Sequence, residues 1–182
     1  MTHARNLRAV TLSSARLTTD GLKRSAVICV VRHGSDYLML LRDREPNRGL
    51  YVPVGGKLDP YESPRDAAIR EIREEAGIAV TDVRLAGALV ETSPTPYNWW
   101  SAVYVTDLEG TRPDAIHCAE GTLGWFPRER LTALPMPDTD RFIYDYLERG
   151  QPFIFSADYD RALKLVRMDE ELAGVRLVTA AR

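Results

Sequence analysis

Three glutamates at one helical spacing constrain this chain more than any other feature. Residues 63–77 read SPRDAAIREIREEAG. Ser63 is a good N-cap, Pro64 suits the first helical position, and Asp66 stands where a capping-box acid would. Gly77 supplies the left-handed residue that ends a helix. The spacing therefore predicts a helix over Pro64–Ala76. At ~100° per residue, Glu71, Glu74 and Glu75 project from one side, with Ala68, Ile69, Ile72 and Ala76 as an adjacent apolar stripe. Ala67 lies among the carboxylates and leaves room for an ion. Like charges one turn apart repel, and partial burial raises that cost. A hard divalent cation relieves it, and oxygen-only ligands select Mg²⁺, Mn²⁺ or Ca²⁺ over zinc. Arg70, four residues before Glu74, can hold that carboxylate in place. By itself the cluster also fits a solvated surface helix with Glu–Arg pairs.

The flanking elements sharpen the reading. Ser25–Arg32 and Tyr37–Leu41 are apolar, β-branched runs around the turn His33–Asp36, which predicts a hairpin. Tyr51–Val54 is a short strand running into Gly55-Gly56, where the backbone can approach a ligand closely. Glu62, just before the cap, can brace the loop. Val83–Glu91, Ala102–Asp107 and Gly124–Phe126 read as further strands. Pro137–Leu147 reads as a second helix with Phe142, Ile143, Tyr146 and Leu147 on one face. Phe153–Ser156 and Ala162–Val166 read as late strands split by a polar turn at Ala157–Arg161, and the residues after Met168 receive no assignment. Without repeat or linker, this order predicts one α+β sandwich over residues 24–182, preceded by an arm over 1–23 with a short strand at Ala9–Leu12.

The segment from Gly56 to Ile78, GKLDPYESPRDAAIREIREEAGI, resembles the Nudix hydrolase signature. That signature is G, five residues, E, seven residues, REU, one residue, EE, one residue, GU, with U aliphatic. Gly56, Glu62, Arg70, Glu71, Ile72, Glu74, Glu75, Gly77 and Ile78 match it throughout, and its seven fixed positions give a chance match on the order of 10⁻⁸ per window. The resemblance implies an α/β/α sandwich on a mixed β-sheet. It also implies hydrolysis of a pyrophosphate linkage in a nucleoside diphosphate derivative. Glu71, Glu74 and Glu75 are then the expected Mg²⁺ ligands (Mn²⁺ being the other candidate), with the Gly55 carbonyl and Glu120 completing the set. Water attacks phosphorus in line, and Glu75 or Glu74 takes its proton, with Glu120 as the alternative. Arg70 is expected among the catalytic residues, and Arg42 and Lys57 are candidate phosphate contacts.

Substrate choice rests on weaker signals. Glu120–Asp140 is similar to the matching part of the oxidised-purine nucleoside triphosphate pyrophosphatases, where an acidic pair reads the base. Asp138 and Asp140 fall near that position, although Asp138 also suits a helix cap. Tyr97, Trp99 and Trp100 offer stacking surfaces, or simply pack. Val52 departs from that branch, which often carries asparagine there. The expectation is cleavage of a nucleoside triphosphate, 8-oxo-dGTP first, to a monophosphate and pyrophosphate. Dinucleoside polyphosphates, nucleotide sugars, an RNA 5′ end, or a non-catalytic nucleotide sensor are the rivals. Isomerisation of an isoprenoid diphosphate would need a cysteine in the site, whereas Cys29 lies in the apolar run Ala26–Val31 and is expected buried.

Composition sets the outer bounds. The chain has 182 residues, 45% hydrophobic and 27% charged, with a net charge of −2. That balance argues against an extended nucleic-acid partner and leaves a small nucleotide open. Cys29 and Cys118 do not make a disulfide framework, so a reducing, cytoplasmic setting is expected. No apolar stretch approaches the ~18 residues that span a membrane. A homodimer is compatible with all of this.

Overall fold

The computed structural model describes residues 21–112, 114 and 117–180. The strand anticipated at Ala9–Leu12, and the arm before Gly21, lie outside the described residues. The strands are β1 (Arg24–His33), β2 (Asp36–Arg42), β3 (Tyr51–Val52), β4 (Arg84–Thr92), β5 (Trp99–Asp107), β6 (His117–Cys118), β7 (Gly121–Pro127), β8 (Phe153–Tyr159), β9 (Leu165–Glu170) and β10 (Val175–Thr179). The helices are α1 (Pro64–Ala76), α2 (Arg128–Leu131) and α3 (Asp138–Glu148). The strands form one mixed sheet in the order β10-β9-β8-β4-β5-β1-β2-β7-β6, with β3 on β2. β1 runs parallel to β5 and β4 parallel to β8; the other pairs are antiparallel.

Alternation along the strands divides the core into two layers. Val27, Cys29 and Val31 of β1, Leu38 and Leu40 of β2, and Ala102 and Tyr104 of β5 pack with Ala67, Ala68, Ile72 and Ala76 of α1. The intervening Val30, Tyr37, Met39, Val103 and Val105 pack on the other face with Ile143, Tyr144 and Leu147 of α3. Strand periodicity of two and helix periodicity of 3.6 thus produce an α/β/α sandwich, as anticipated. Tyr144 closes the α3 layer: its ring meets Tyr37 edge-on at 5.4 Å and its hydroxyl reaches the Met39 sulfur at 3.0 Å. α1 starts and stops where its caps place it. The Asp66 amide donates to Ser63 Oγ at 3.2 Å, and Gly77, at φ 67°, donates to the Arg73 carbonyl at 3.0 Å.

Several boundaries differ from the sequence reading. β5 starts at Trp99, three residues earlier than anticipated, because inward-facing Ser101 breaks the apolar alternation. β7 covers Gly121–Pro127 and pairs with all of β2, where only Gly124–Phe126 was anticipated. The polar turn expected at Ala157–Arg161 is wrong in its first half. Phe153, Phe155 and Ala157 alternate inward, so β8 continues to Tyr159; of the strand placed at Ala162–Val166, residues 162–164 belong to the turn and Leu165 and Val166 open β9. Asp160 holds that turn by accepting from the Ala162 and Lys164 amides at 2.8 and 2.9 Å. β10 supplies the structure left unassigned after Met168.

One irregularity opens the sheet. β1 and β2 pair only at Arg32–Tyr37 and His33–Asp36. Beyond that, residues 54–57 lie against β1, with Cys29 N donating to the Val54 carbonyl and Val27 N to the Gly56 carbonyl, both at 2.8 Å. The strand read as Tyr51–Val54 is therefore two residues of β3 followed by this crossing. We expect Ile72→Ala, which empties the centre of the α1 layer at a 1% exposed position, to lower the unfolding free energy by about 3 kcal/mol in denaturant titrations.

Candidate active site

The site forms where the 54–57 segment crosses the carboxylate face of α1. Gly55 and Gly56 let the two backbones meet. A Cβ on Gly55 would strike the Val27 carbonyl, and one on Gly56 would overlap the Glu71 carboxylate. In the space this leaves, the Gly55 amide donates to Glu75 Oε2 at 2.9 Å.

Arg70 organises the remaining acids. Its Nε and Nη2 fork onto both oxygens of Glu62 at 2.8 Å. Nη1 reaches Glu71 Oε1 at 2.8 Å and Glu74 Oε2 at 3.1 Å, and Nη2 also donates to the Lys57 carbonyl at 3.1 Å. Glu62, gripped by Arg70 and by the Asp59 amide, is held down at about 2. It is a brace for the loop. Glu71 and Glu75 move the other way. Burial raises both, and Glu75, flanked by Glu120 and Glu71 and countered by the Gly55 amide, is pushed up to about 7.

Glu120 stands opposite, in the turn between β6 and β7, where Arg42 Nη1 donates to its Oε2 at 2.6 Å. Arg42 also donates through Nε to the Pro46 carbonyl at 2.9 Å, and Arg44 bonds the Ala119 carbonyl. The 43–50 loop is thereby tied to the Glu120 turn. Two of the Arg42 N–H groups are already engaged, a commitment the sequence does not reveal.

These groups line one cleft of about 580 Å³. Val27, Ile28, Leu89 and Ser101 line it, and Gly55, Lys57, Arg70, Glu71, Glu75, Arg42 and Glu120 all border it. Trp99, Tyr97, Thr139, Asp140 and Glu91 belong to the same lining, as do Arg44, Glu45, Pro46 and Asn47. Sequence-predicted Asp138, Trp100 and Glu74 are not brought to the cleft wall. Asp138 is exposed in the first turn of α3, where Pro137 is the cap and no side-chain cap bond forms. Trp100 points from the sheet at 40% exposure. Glu74, with its side chain 53% exposed, stands at the rim. Glu91 was missed, because a glutamate ending an apolar strand carries no distinguishing pattern. Cys29 is buried behind α1 with its sulfur 3.8 Å from the Ala68 carbonyl, and burial raises its thiol far above the usual range. It offers no group to the cleft.

Oxygen donors dominate the centre of this site, and two of them are desolvated carboxylates held close to other acids. Such a set fits a hard divalent cation. As arranged around Arg70, no three acidic, imidazole or thiol groups among the described residues converge tightly enough to ligate one.

A family model described as the NUDIX domain matches residues 22–149. The chain belongs to the Nudix family. It is 32% identical over 127 residues to the uncharacterized Nudix hydrolase YvcI of Bacillus subtilis, covering 68% of this chain and 78% of that protein. It is 30% identical over 115 residues to the NAD-capped RNA hydrolase NudC of Chromobacterium violaceum, covering 62% of this chain but only 41% of that longer relative. The MutT protein of Bacillus halodurans superposes with a TM-score of 0.71 at 23% identity, over 82% of this chain and 98% of its own, which shows a shared fold. The protein is thus a Nudix hydrolase, an enzyme acting on phosphoric anhydride bonds. The family generally uses divalent metals. No helix among the described residues is long and apolar enough to cross a membrane.

The raised carboxyl groups make stability depend on pH. Glu75 binds its proton more tightly folded than unfolded, so its contribution is complete below its ordinary value of 4.5 and lost as pH rises through about 7. Thermal melts of wild type minus Glu75→Gln in chelator should show wild type losing ground between pH 5 and 8, and millimolar Mg²⁺ or Mn²⁺ should restore it at pH 8.

Proposed function

We propose that this enzyme is a Mg²⁺-dependent pyrophosphohydrolase that cleaves a nucleoside triphosphate to the monophosphate and pyrophosphate, with 8-oxo-dGTP the first substrate to test. The supporting observation is the continuity of the cleft. One cleft is lined both by the acidic face of α1 and by an aromatic ring and buried acids. A nucleotide laid along it puts its base against Trp99 and Asp140 and its phosphates over Glu71 and Glu75. Trp99 already carries the Arg24 guanidinium 5.5 Å from its ring, so the ring presents a polarised face.

In this reading Glu71, Glu74, Glu75 and Glu120, with the Gly55 carbonyl, would hold the cation. It would neutralise charge on the phosphates and acidify water. Arg70 keeps the acids in register, because its fork on Glu62 anchors the loop while Nη1 spans Glu71 and Glu74. Glu75 takes the attacking water's proton. One of its oxygens is fixed by the Gly55 amide, which holds the carboxylate in place on the cleft it borders, within reach of a water there. Lys57 and the uncommitted edge of Arg42 meet the phosphates. Tyr97, T-shaped against Trp99 at 6.3 Å, supports the stacking ring.

The lining of the cleft also admits a second reading. Arg44, Pro46 and Asn47 border it, where the second nucleoside of a dinucleotide would fit, and the NudC relatives are named for NAD-capped RNA. A panel of dNTPs, 8-oxo-dGTP, NAD⁺ and ADP-ribose, assayed with Mg²⁺ and resolved by chromatography, separates the two. Monophosphate plus pyrophosphate is the expected product pair. Nicotinamide mononucleotide plus AMP from NAD⁺ alone would favour the second reading, and no turnover would sink both. We expect Glu75→Gln to lower kcat at least about 100-fold with circular dichroism unchanged. Full activity in Glu75→Gln and Glu74→Gln alike would overturn the assignment of the acids.

A further inference from the structure

Five cationic side chains border the cleft: Arg24, Arg42, Arg44, Lys57 and Arg70. Three of them are committed. Arg70 forks onto Glu62 and spans Glu71 and Glu74, Arg42 is engaged by Glu120 and the Pro46 carbonyl, and Arg44 by the Ala119 carbonyl. Arg24 and Lys57 make no side-chain hydrogen bond or ion pair among the described residues. The nearby acid Glu91 is engaged elsewhere, accepting from the phenols of Tyr97 at 3.1 Å and Tyr159 at 2.9 Å.

Strand register places the two free cations on one face. Arg24 of β1 stands beside Trp99 of β5, Ala26 stands beside Ser101, and Lys57 pairs with Ala26 from the other side. Paired residues project from the same side of a sheet. Trp99, Arg24, Ser101, Ala26 and Lys57 therefore face the cleft together, and all five line it. Ala26 and Ser101 are small and leave room between the cations.

The two cations differ in their surroundings. The Lys57 carbonyl accepts from Arg70, and Gly56 before it abuts the Glu71 carboxylate, so Lys57 stands next to the acids of α1. Arg24 is two residues beyond Ala26, about 7 Å further along β1. Its guanidinium lies over the Trp99 ring at 5.5 Å. A cation–π contact positions the guanidinium without consuming its N–H groups. A fork of donors thus remains for an oxyanion, the group that a guanidinium binds best.

With a base on Trp99 and the anhydride phosphates over Glu71 and Glu75, what lies between them is the sugar. We infer that Arg24 is a specificity-determining residue that binds a phosphate ester on the ribose 2′ or 3′ oxygen, favouring nucleotides that carry this second anionic group besides the 5′ anhydride. The inference rests on the nucleotide orientation proposed above and names a substrate class for it.

GMP, guanosine 3′,5′-bisphosphate and guanosine 2′,5′-bisphosphate test it apart from turnover, because none has an anhydride bond to cleave. Calorimetry on the full chain with Mg²⁺ should show at least one bisphosphate binding about tenfold more tightly than GMP, and the one that gains identifies the oxygen. Arg24→Ala should bring the ratio of that bisphosphate to GMP close to one. Arg24→Lys, which keeps the charge but loses the fork, should retain part of the gain. Thermal melts establish that each variant is folded. A merely structural role for Arg24 beside Trp99 would weaken all three ligands and leave their ratio unchanged. Capture of the second phosphate by the metal or by Lys57 would likewise leave the gain intact in Arg24→Ala. An unchanged ratio in that variant, no gain in wild type, or no binding of any of the three at millimolar concentration would overturn the inference. Turnover of dNTPs without a bisphosphate gain counts against this inference alone, and a bisphosphate gain without dNTP turnover counts against the proposed reaction alone.

Discussion

Everything at this site depends on one guanidinium. Arg70 gathers Glu62, Glu71, Glu74 and the Lys57 carbonyl around a single side chain that is 19% exposed. Without it, the second half of α1 and the loop before the helix would carry a set of acids with no fixed countercharge. Charge-assisted bonds of this kind contribute about 1.5–3 kcal/mol each, more than the few tenths that like charges lose at helical spacing. Arg70 therefore lets the chain fold with its acids already crowded, and leaves part of their repulsion to be relieved by a cation. Glu75 is the exception: it stands outside the Arg70 network, buried against the Gly55 amide, and bears the largest desolvation of the cluster.

The sheet gives this cluster something to act on. Because β1 and β2 separate after one short stretch of pairing, residues 54–57 enter along β1 and bring Gly55 and Gly56 onto α1. The cleft beside it is lined by residues of β1, β4 and β5. The acids of α1, the first turn of α3 and the Arg42–Glu120 link with the 43–50 loop all border it.

Much of the fold was legible because its rules are local. The caps of α1, its apolar stripe of Ala68, Ile72 and Ala76, and the alternation in β1 and β2 follow from neighbours a few residues away. The errors fall where tertiary contact overrides local polarity. Ser101 is buried where it lines the cleft, which hid the start of β5. Asp158 and Asp160 looked like a turn, but β8 passes through Asp158 because Ala157 and Met168 pair inside the α3 layer. Among the site residues, those in the Gly56–Ile78 motif were readable as a set. Asp138 and Trp100 were not separable from Asp140 and Trp99 by sequence, since which neighbour faces inward depends on helix phase and strand register.

The sequence by itself determined the carboxylate face of α1, the glycines that admit the backbone to it, and with them the family and the type of bond it breaks. Those features are encoded within 23 consecutive residues, where helical periodicity alone fixes which side chains stand together. Only the tertiary structure decided what surrounds them. It committed Arg42 to Glu120, put Glu74 at the rim, and brought Glu91 of β4, Tyr159 of β8 and Asp140 of α3 to one wall. Those partners are far apart in the chain, and only strand order and register bring them together.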